Sequence, residues 1–449
     1  MRILRITIKK YKNLEDFDCI FSDSNIAAFI GNNGSGKSNL LEAITAAFSL
    51  AKNVSAKKNP NIILYPELYD CKIQYECDGM IYVLSCSNSE VSISYNDRKL
   101  NKLGMEAALP ETIMLYYAGE TNRQAITAQN TFDEAYTNLL KRTDNSGFPG
   151  YKFLDMYSQD DLAMLLMTAA VYKGEYYGKL LNLLNCKDIV PDVSITLINP
   201  KRSRGQADTY WGAKGFVKSF LGELRRYVST TDDLSFMYLM NFKDICGLKE
   251  TSTDEGELFA KLKALKNSGY LYRLSVNLQR QDDTVFSYED LSEGEKQLSL
   301  LLLLLSFTNQ RKCLYLFDEF DAYLHLNWQK EFGKMLNEID VNGHILFTTH
   351  SPATISGMKR NNVYIMTNGK VSPAPSETYN RSLDEIMEEH MLVSMRPKEY
   401  NDLVQEFRNA VVHDRKDLAE EALIKLREIV GETDPFFITA RIAMNRMEK

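Results

Sequence analysis

Eight residues, Gly31-Asn32-Asn33-Gly34-Ser35-Gly36-Lys37-Ser38, carry the most specific chemistry in the chain, because they fit G-x-x-x-x-G-K-[ST] in full. Glycines at this spacing let backbone N–H groups turn inward around an anion, and the start of a following helix adds partial positive charge. Asn32, Asn33, Gly34, Ser35 and Gly36 would form the cradle, Lys37 would reach the β- and γ-phosphates of a nucleotide, and Ser38 would ligate Mg²⁺. A second candidate group ends the apolar run Leu314-Tyr315-Leu316-Phe317, where Asp318 and Glu319 stand together. Asp318 suits a metal ligand, directly or through water, and Glu319 suits the base that orients and polarises a water molecule. A third is His350, directly after the strand-like run His344–Thr349 and before Ser351-Pro352.

The elements that must position these residues are legible in the spacing. Ile26–Ile30 is a short apolar run suited to a buried strand, and Asn39–Leu50 has helical apolar spacing, so the glycine loop lies between strand and helix. Leu291-Ser292-Glu293-Gly294-Glu295-Lys296-Gln297 is a polar turn that opens onto the apolar run Leu298–Leu305, expected as a buried helix. Across residues 63–117, alternating runs such as Lys72–Cys77, Met80–Ser85 and Val91–Tyr95 predict an antiparallel sheet with a turn at Asn96-Asp97. Residues 126–268 are mainly helical in pattern, as in Asp160–Tyr172 and Lys214–Val228, and are broken at 147–150, Pro191 and Pro200. Heptads are not sustained, which predicts a compact helical lid instead of a coiled coil.

The order P-loop, long insertion, polar turn, paired carboxylates and histidine resembles an ABC-type ATPase head of the SMC and RecF-like branch. The resemblance rests on Ile6–Leu14, on the loop Gly31–Ser38, and on the Gly294-Glu295-Lys296 ending of the signature turn. It implies an α/β head with a mixed P-loop sheet and an antiparallel β subdomain, a helical insertion and a helical tail. It implies ATP and Mg²⁺ as ligands, ATP hydrolysis with Glu319 and His350 as catalytic residues, and a homodimer or higher even-numbered oligomer. Ser292, Gly294 and Glu295 would face the nucleotide of the other subunit, Lys12 joins the nucleotide contacts, and Gln124 is the candidate Q-loop metal ligand. Glu293 departs from the family pattern by placing an acid near that γ-phosphate, so its side chain is expected to point away. His325 stands where the D-loop of many members has Asp. The implied division is 1–125 N-terminal lobe, 126–268 lid, 269–376 C-terminal lobe and 377–449 tail.

Composition fits this frame. The 449 residues are 44% hydrophobic and 25% charged, enough for two or three domains. A net charge of −7 argues against wholesale nucleic-acid coating but not against a local basic groove. The seven cysteines are scattered, without C-x-x-C, and read as reduced core thiols of a cytoplasmic protein. No membrane span is expected, since the leucine run near residue 300 falls far short of the ~20 apolar residues required. Lys201-Arg202-Ser203-Arg204-Gly205 with Tyr210-Trp211, and Arg225-Arg226-Tyr227, are compatible equally with nucleic-acid contact and with a solvated basic loop.

The tail is expected as helices over Leu383–Met391, Pro397–Val412 and Lys416–Val430, then Asp434 capping a last helix at Pro435. Its form, from Asp414–Ala422 to Gly431–Pro435, resembles the tails of bacterial anti-phage ATPases, of the PtuA type in Septu-like systems and next of the PARIS type. That resemblance implies a separate nuclease partner, of HNH or TOPRIM kind. The chain has no D-x-D after His350, and His390 and His413 are its later histidines, so a nuclease site of its own is not expected. The alternative is a RecF- or SMC-like repair or chromosome ATPase that clamps DNA directly.

Overall fold

The computed structural model describes residues 1–56, 69–87, 90–118, 135–144, 147–198, 207–227, 235–240, 246–391 and 398–447. Ile6 and Ile8, two apart, and Ile3, beyond a register shift between Ile3 and Arg5, are the buried isoleucines of β1 (Arg2–Tyr11). The chain reverses at Lys12, whose φ is 51°, into β2 (Leu14–Ile20), antiparallel with Ile6 opposite Cys19. β4 (Tyr69–Cys77), β5 (Met80–Ser87), β6 (Glu90–Tyr95) and β7 (Arg98–Lys99) extend this antiparallel sheet in the order β2-β1-β4-β5-β6-β7. Its last hairpin turns at Asn96 and Asp97, both at positive φ, the backbone that a tight two-residue turn demands.

A second sheet carries the site. Its strands are β3 (Ile26–Ile30), β8 (Thr112–Tyr117), β9 (Leu154–Tyr157), β14 (Cys313–Asp318), β15 (His344–Thr348), β16 (Val363–Thr367) and β17 (Lys370–Pro373). They run in the order β17-β16-β3-β15-β14-β8-β9, parallel except for β17. β3, β14 and β15 are buried at every position, as strands covered on both faces must be. α1 (Lys37–Ser55) lies between the sheets: Leu40, Leu41, Ile44 and Phe48 share one core with Ile73 and Tyr75 of the first sheet and with Leu314, Leu316 and Leu346 of the second.

The stretch 126–268, expected to be mainly helical, carries more helix than strand among its described residues, with further helices at Tyr177–Leu183 and Gly215–Leu224, but it is not helical alone. It holds α2 (Leu162–Tyr172) and α3 (Glu255–Asn267), but also β9 and a third sheet. In that sheet β10 (Cys186–Ile198) pairs with β11 (Ser235–Met240) and with β12 (Leu271–Arg280), and β12 pairs with β13 (Val285–Ser287), in the order β11-β10-β12-β13. Pro191, read from the sequence as a breaker, sits where the β10–β12 register shifts between Val190 and Ser194, so the strand continues through it. The boundary drawn at 268/269 therefore cuts through a sheet. α2 and α3 pack on α4 (Glu293–Thr308), whose leucines 298 and 300–305 are buried on all sides.

Ser382–Lys449 forms a second compact unit. It contains a short helix at Leu383–Glu389, then Lys398–Val412, Lys416–Val430 and Phe436–Met447. Asp434 Oδ1 accepts from the Phe436 N–H at 2.9 Å, the expected cap. Ala419, Ala422 and Leu426 are buried in the helical pair, whereas Ile429, expected on the same face, is 41% exposed. Among the described residues no helix is long and apolar enough to cross a membrane. Six cysteines are buried as expected, but Cys246 is exposed.

Candidate functional site

Because β3, β15 and β14 are parallel neighbours, their carboxyl ends bring three segments distant in sequence to one edge of the sheet. The glycine loop leaves β3 with Gly31, Gly34 and Gly36 at φ of 150°, 76° and 106°. At Gly31 the need is also steric, since a Cβ there would lie 2.1 Å from the Met366 carbonyl oxygen of β16. Gly36 caps α1 with no side-chain partner, leaving the first N–H groups of the helix available to an anion. Ser35 is buried, and its Oγ has no hydrogen-bond partner among the described residues. Asn32, Asn33 and Gly34 are exposed at the loop tip.

Lys37 Nζ donates to the carbonyls of Gly31 at 2.8 Å and Asn32 at 3.2 Å. Burial pushes this ammonium down to about 8, against the pull of Asp318 and Glu319. Ser38 Oγ donates to Asp318 Oδ1 at 3.1 Å, so the two expected metal ligands meet although they lie far apart in the chain. Asp318 also accepts from Thr348 Oγ1, and Thr348 Oγ1 accepts from the Glu319 N–H at 3.0 Å. Burial raises the Asp318 carboxyl pKa above its usual value, against the Thr348 and Ser38 hydroxyls. A buried carboxylate beside a hydroxyl is a hard-oxygen donor pair suited to Mg²⁺, and the under-compensated loop suits a polyphosphate. Glu319 itself stands at φ 50°, a left-handed turn directly after β14.

His350 follows β15 with its side chain exposed; desolvation, then Lys37, lowers its pKa, and Glu319 opposes them. Ser292 caps α4 in a reciprocal box: its Oγ accepts from the Glu295 N–H at 3.3 Å and its own N–H donates to Glu295 Oε2 at 2.9 Å. Glu295 is thus committed to capping, while Ser292 remains exposed at the turn and Gly294 is half-buried. Glu293 is drawn aside by hydrogen bonds from Gln159 and Lys296, the Lys296 contact being 3.2 Å, and these lower its pKa. Lys12 is paired with Glu42 of α1 instead of standing free in the cradle. Gln124 lies outside the described residues, as does Lys201–Gly205. Trp211 is 5% exposed with its ring 6.3 Å from that of Tyr270, so it offers no stacking face.

Several residues that hold the site carried no motif. Asn13 Nδ2 donates to the Gly34 carbonyl at 2.7 Å while its Oδ1 accepts from Asn39 at 2.7 Å, bracing the loop from the β1–β2 turn. Its signal was its place in the opening segment. Thr348 and Thr349 differ in direction: Thr348 holds Asp318, and Thr349 holds Asp321, a carboxylate pushed up to about 6 by burial. His325 caps Leu326–Glu338 through Nδ1, which accepts from the Asn327 N–H at 3.5 Å, a structural use for the residue in the D-loop position.

The RecF/RecN/SMC N-terminal domain family matches residues 2–372. The "Retron Ec83 probable ATPase" of Escherichia coli is 22% identical over 454 residues, covering 92% of this chain and 81% of that protein. The "DNA replication and repair protein RecF" of Haemophilus influenzae is 26% identical over 238 residues, covering 47% of this chain and 64% of its own length. The SMC head domain from Thermotoga maritima aligns with 84% of this chain and 100% of that one, at 14% identity and a TM-score of 0.40. With the P-loop, carboxylate pair and histidine assembled on one sheet edge, the chain belongs to the RecF/RecN/SMC N-terminal domain family and is an SMC/RecF-like ATPase.

Proposed function

We propose that this chain is the ATP-driven switch subunit of an anti-phage defence complex, closing around ATP as a dimer and controlling a separate nuclease. The observation that carries the reading is the reach of its similarity to the retron ATPase. That similarity covers 92% of the chain, more than residues 2–372 of the family match, so it extends into the residues beyond 372.

The site supplies the switch. The N–H groups of the glycine loop and Lys37 bind the phosphates, and Ser38 and Asp318 would hold Mg²⁺, which would supply positive charge against the phosphate oxygens. Glu319 accepts a proton from the attacking water, and His350 donates a hydrogen bond at the γ-phosphate. The exposed Ser292 and the start of α4 complete the pocket of a second copy. Such a switch acts through differential affinity, so nuclease binding must differ between ATP-bound and free forms.

A pull-down of the native complex with and without ATP tests this, with a nuclease expected to co-purify in an ATP-dependent manner. Deleting 382–449 should release it; if the partner stays bound, the insertion is the docking surface. A second reading, a DNA clamp, is favoured by the similarity to RecF and by a groove of about 690 Å³ whose lining includes Lys214, Lys218 and Arg226 against one acid, Glu223. Isolation without a partner, and ATP turnover strongly stimulated by duplex DNA, would replace the first reading with the second.

A further inference from the structure

Beyond the catalytic pair lies a closed ring of buried polar groups outside the P-loop, the carboxylate pair and His350. Asp321 is 3% exposed, and its Oδ2 accepts from both Thr349 Oγ1 and Thr354 Oγ1. Thr349 Oγ1 accepts from the Ser351 N–H at 2.8 Å. Ser351 Oγ donates to Gln329 Oε1 at 2.6 Å, and Gln329 Nε2 returns to the Asp321 carbonyl at 2.9 Å. The ring therefore takes hold of the chain on both sides of His350, at Thr349 and Ser351, and ties it to the turn that begins with Glu319. Phe320 anchors the same turn, its ring 4.6 Å from Phe332 and 5.0 Å from Phe347.

We infer that Asp321 is a positioning residue for ATP hydrolysis, locking the His350 loop to the Glu319 turn so that the two catalytic side chains hold one mutual geometry. A buried carboxylate is expensive to desolvate, and here its hydroxyl partners are Thr349, next to His350, and Thr354, in the short helix Pro352–Ser356 that follows. An apolar residue would fill the same space without directing those hydroxyls. The His350 side chain is exposed, so its placement depends on its backbone, and the ring restrains that backbone from both neighbours. Asp318 is held separately, through Thr348 and Ser38, so phosphate and metal binding do not depend on the ring.

The inference rests on the ATPase reading, and its test separates the two. Steady-state ATP turnover and nucleotide affinity are measured for wild type, Asp321→Ala, Asp321→Asn, Thr349→Val and Thr349→Ser, each also in a His350→Ala background. Loss of an outer hydrogen-bonding partner of a metal ligand typically costs ~10–100-fold in activity, and a loss of that order is expected for a partner that positions a catalytic loop. Asp321→Ala and Thr349→Val are expected to lower kcat by about that factor with nucleotide affinity kept, and Thr349→Ser, which restores the hydroxyl, to recover most of it. Thr349→Val conserves shape and keeps the test valid should Asp321→Ala fail to fold. If Asp321 acts through His350, Thr349→Val costs almost nothing further once His350 is alanine. Additive losses in that cycle, or an unchanged kcat in both single variants, overturn the inference while wild-type turnover still supports the ATPase. A wild-type protein that turns over no ATP overturns both.

Discussion

Two regions of this protein bury lysine beside carboxylate, and they settle the charge in opposite ways. At the turn before α2, Asp161 is 0% exposed and receives Lys263 at 2.5 Å and Lys266 at 2.8 Å, both from α3. Lys263 also donates to the Met156 carbonyl at 2.8 Å and lies 4.6 Å from the centre of the Tyr157 ring. There burial would raise the Asp161 pKa and lower that of Lys263, but each is overruled by the other, so both stay charged. At the nucleotide loop Lys37 turns to backbone carbonyls, its pKa falls to about 8, and that of Asp318 rises. One cluster closes its charges internally and joins α3 to the edge strand β9. The other meets its charges with backbone carbonyls and hydroxyls instead of opposite charges, and its pKa values shift as those of functional sites often do.

The contrast breaks most visibly in turnover. Lys37→Ala should abolish nucleotide binding, and Glu319→Gln should bind ATP yet lose ~10²–10⁴-fold in kcat, the usual worth of a positioned base. Neither should lower the melting temperature, since neither side chain closes a buried ion pair. Lys263→Met should do the reverse. Removing one partner of a buried pair costs about 3–5 kcal/mol, readable by denaturant titration, while ATP affinity in the folded fraction stays unchanged. A stable Lys263→Met, or a Lys37→Ala that unfolds, would erase the distinction between the clusters. A smaller effect concerns Ser292, exposed at the head of α4. Mixing Lys37→Ala with Ser292→Arg protomers should restore at most one functional site per dimer; no recovery at any ratio means the pocket is not shared.

What was legible follows from how local each signal is. The loop Gly31–Ser38 was readable because its glycines, lysine and serine act within one turn, and the flanking strand and helix stand where their apolar spacing puts them. Asp318, Glu319 and His350 were readable through chain order, which the parallel sheet turns into proximity. Thr348 and Asp321 were not, because each works through a partner far away in sequence and no local pattern distinguishes them from ordinary turn or strand residues. The third sheet was missed because Pro191 looked like an end, whereas a register shift absorbs it. Lys12 and Glu295 were assigned to the nucleotide by resemblance alone; the structure pairs Lys12 with Glu42 and spends Glu295 on a helix cap.

β15 repeats the contrast at its two ends, and the outcome can be read against pH. His350 beyond its carboxyl end is exposed at the site, while His344 at its amino end is 0% exposed, its Nδ1 accepting from the Ile3 N–H at 3.1 Å. Desolvation, with Arg2 and the N-terminal ammonium adding to it, pushes the His344 imidazole down to about 3 from the usual 6.5. The folded protein therefore keeps this ring neutral in a range where the unfolded chain protonates it. Stability from this group is complete above about pH 6.5 and is lost as pH falls toward 3. The slope approaches ~1.4 kcal/mol per pH unit inside that window. His344→Asn keeps an acceptor for the Ile3 N–H but no titrating ring, so its stability should fall less steeply than wild type between pH 6 and ~4. His350→Asn should leave that slope unchanged and reduce ATP turnover instead. Parallel denaturation midpoints for wild type and His344→Asn across this range would show that the buried ring carries no proton debt, and that its burial at the strand's quiet end is not what the acid titration reads.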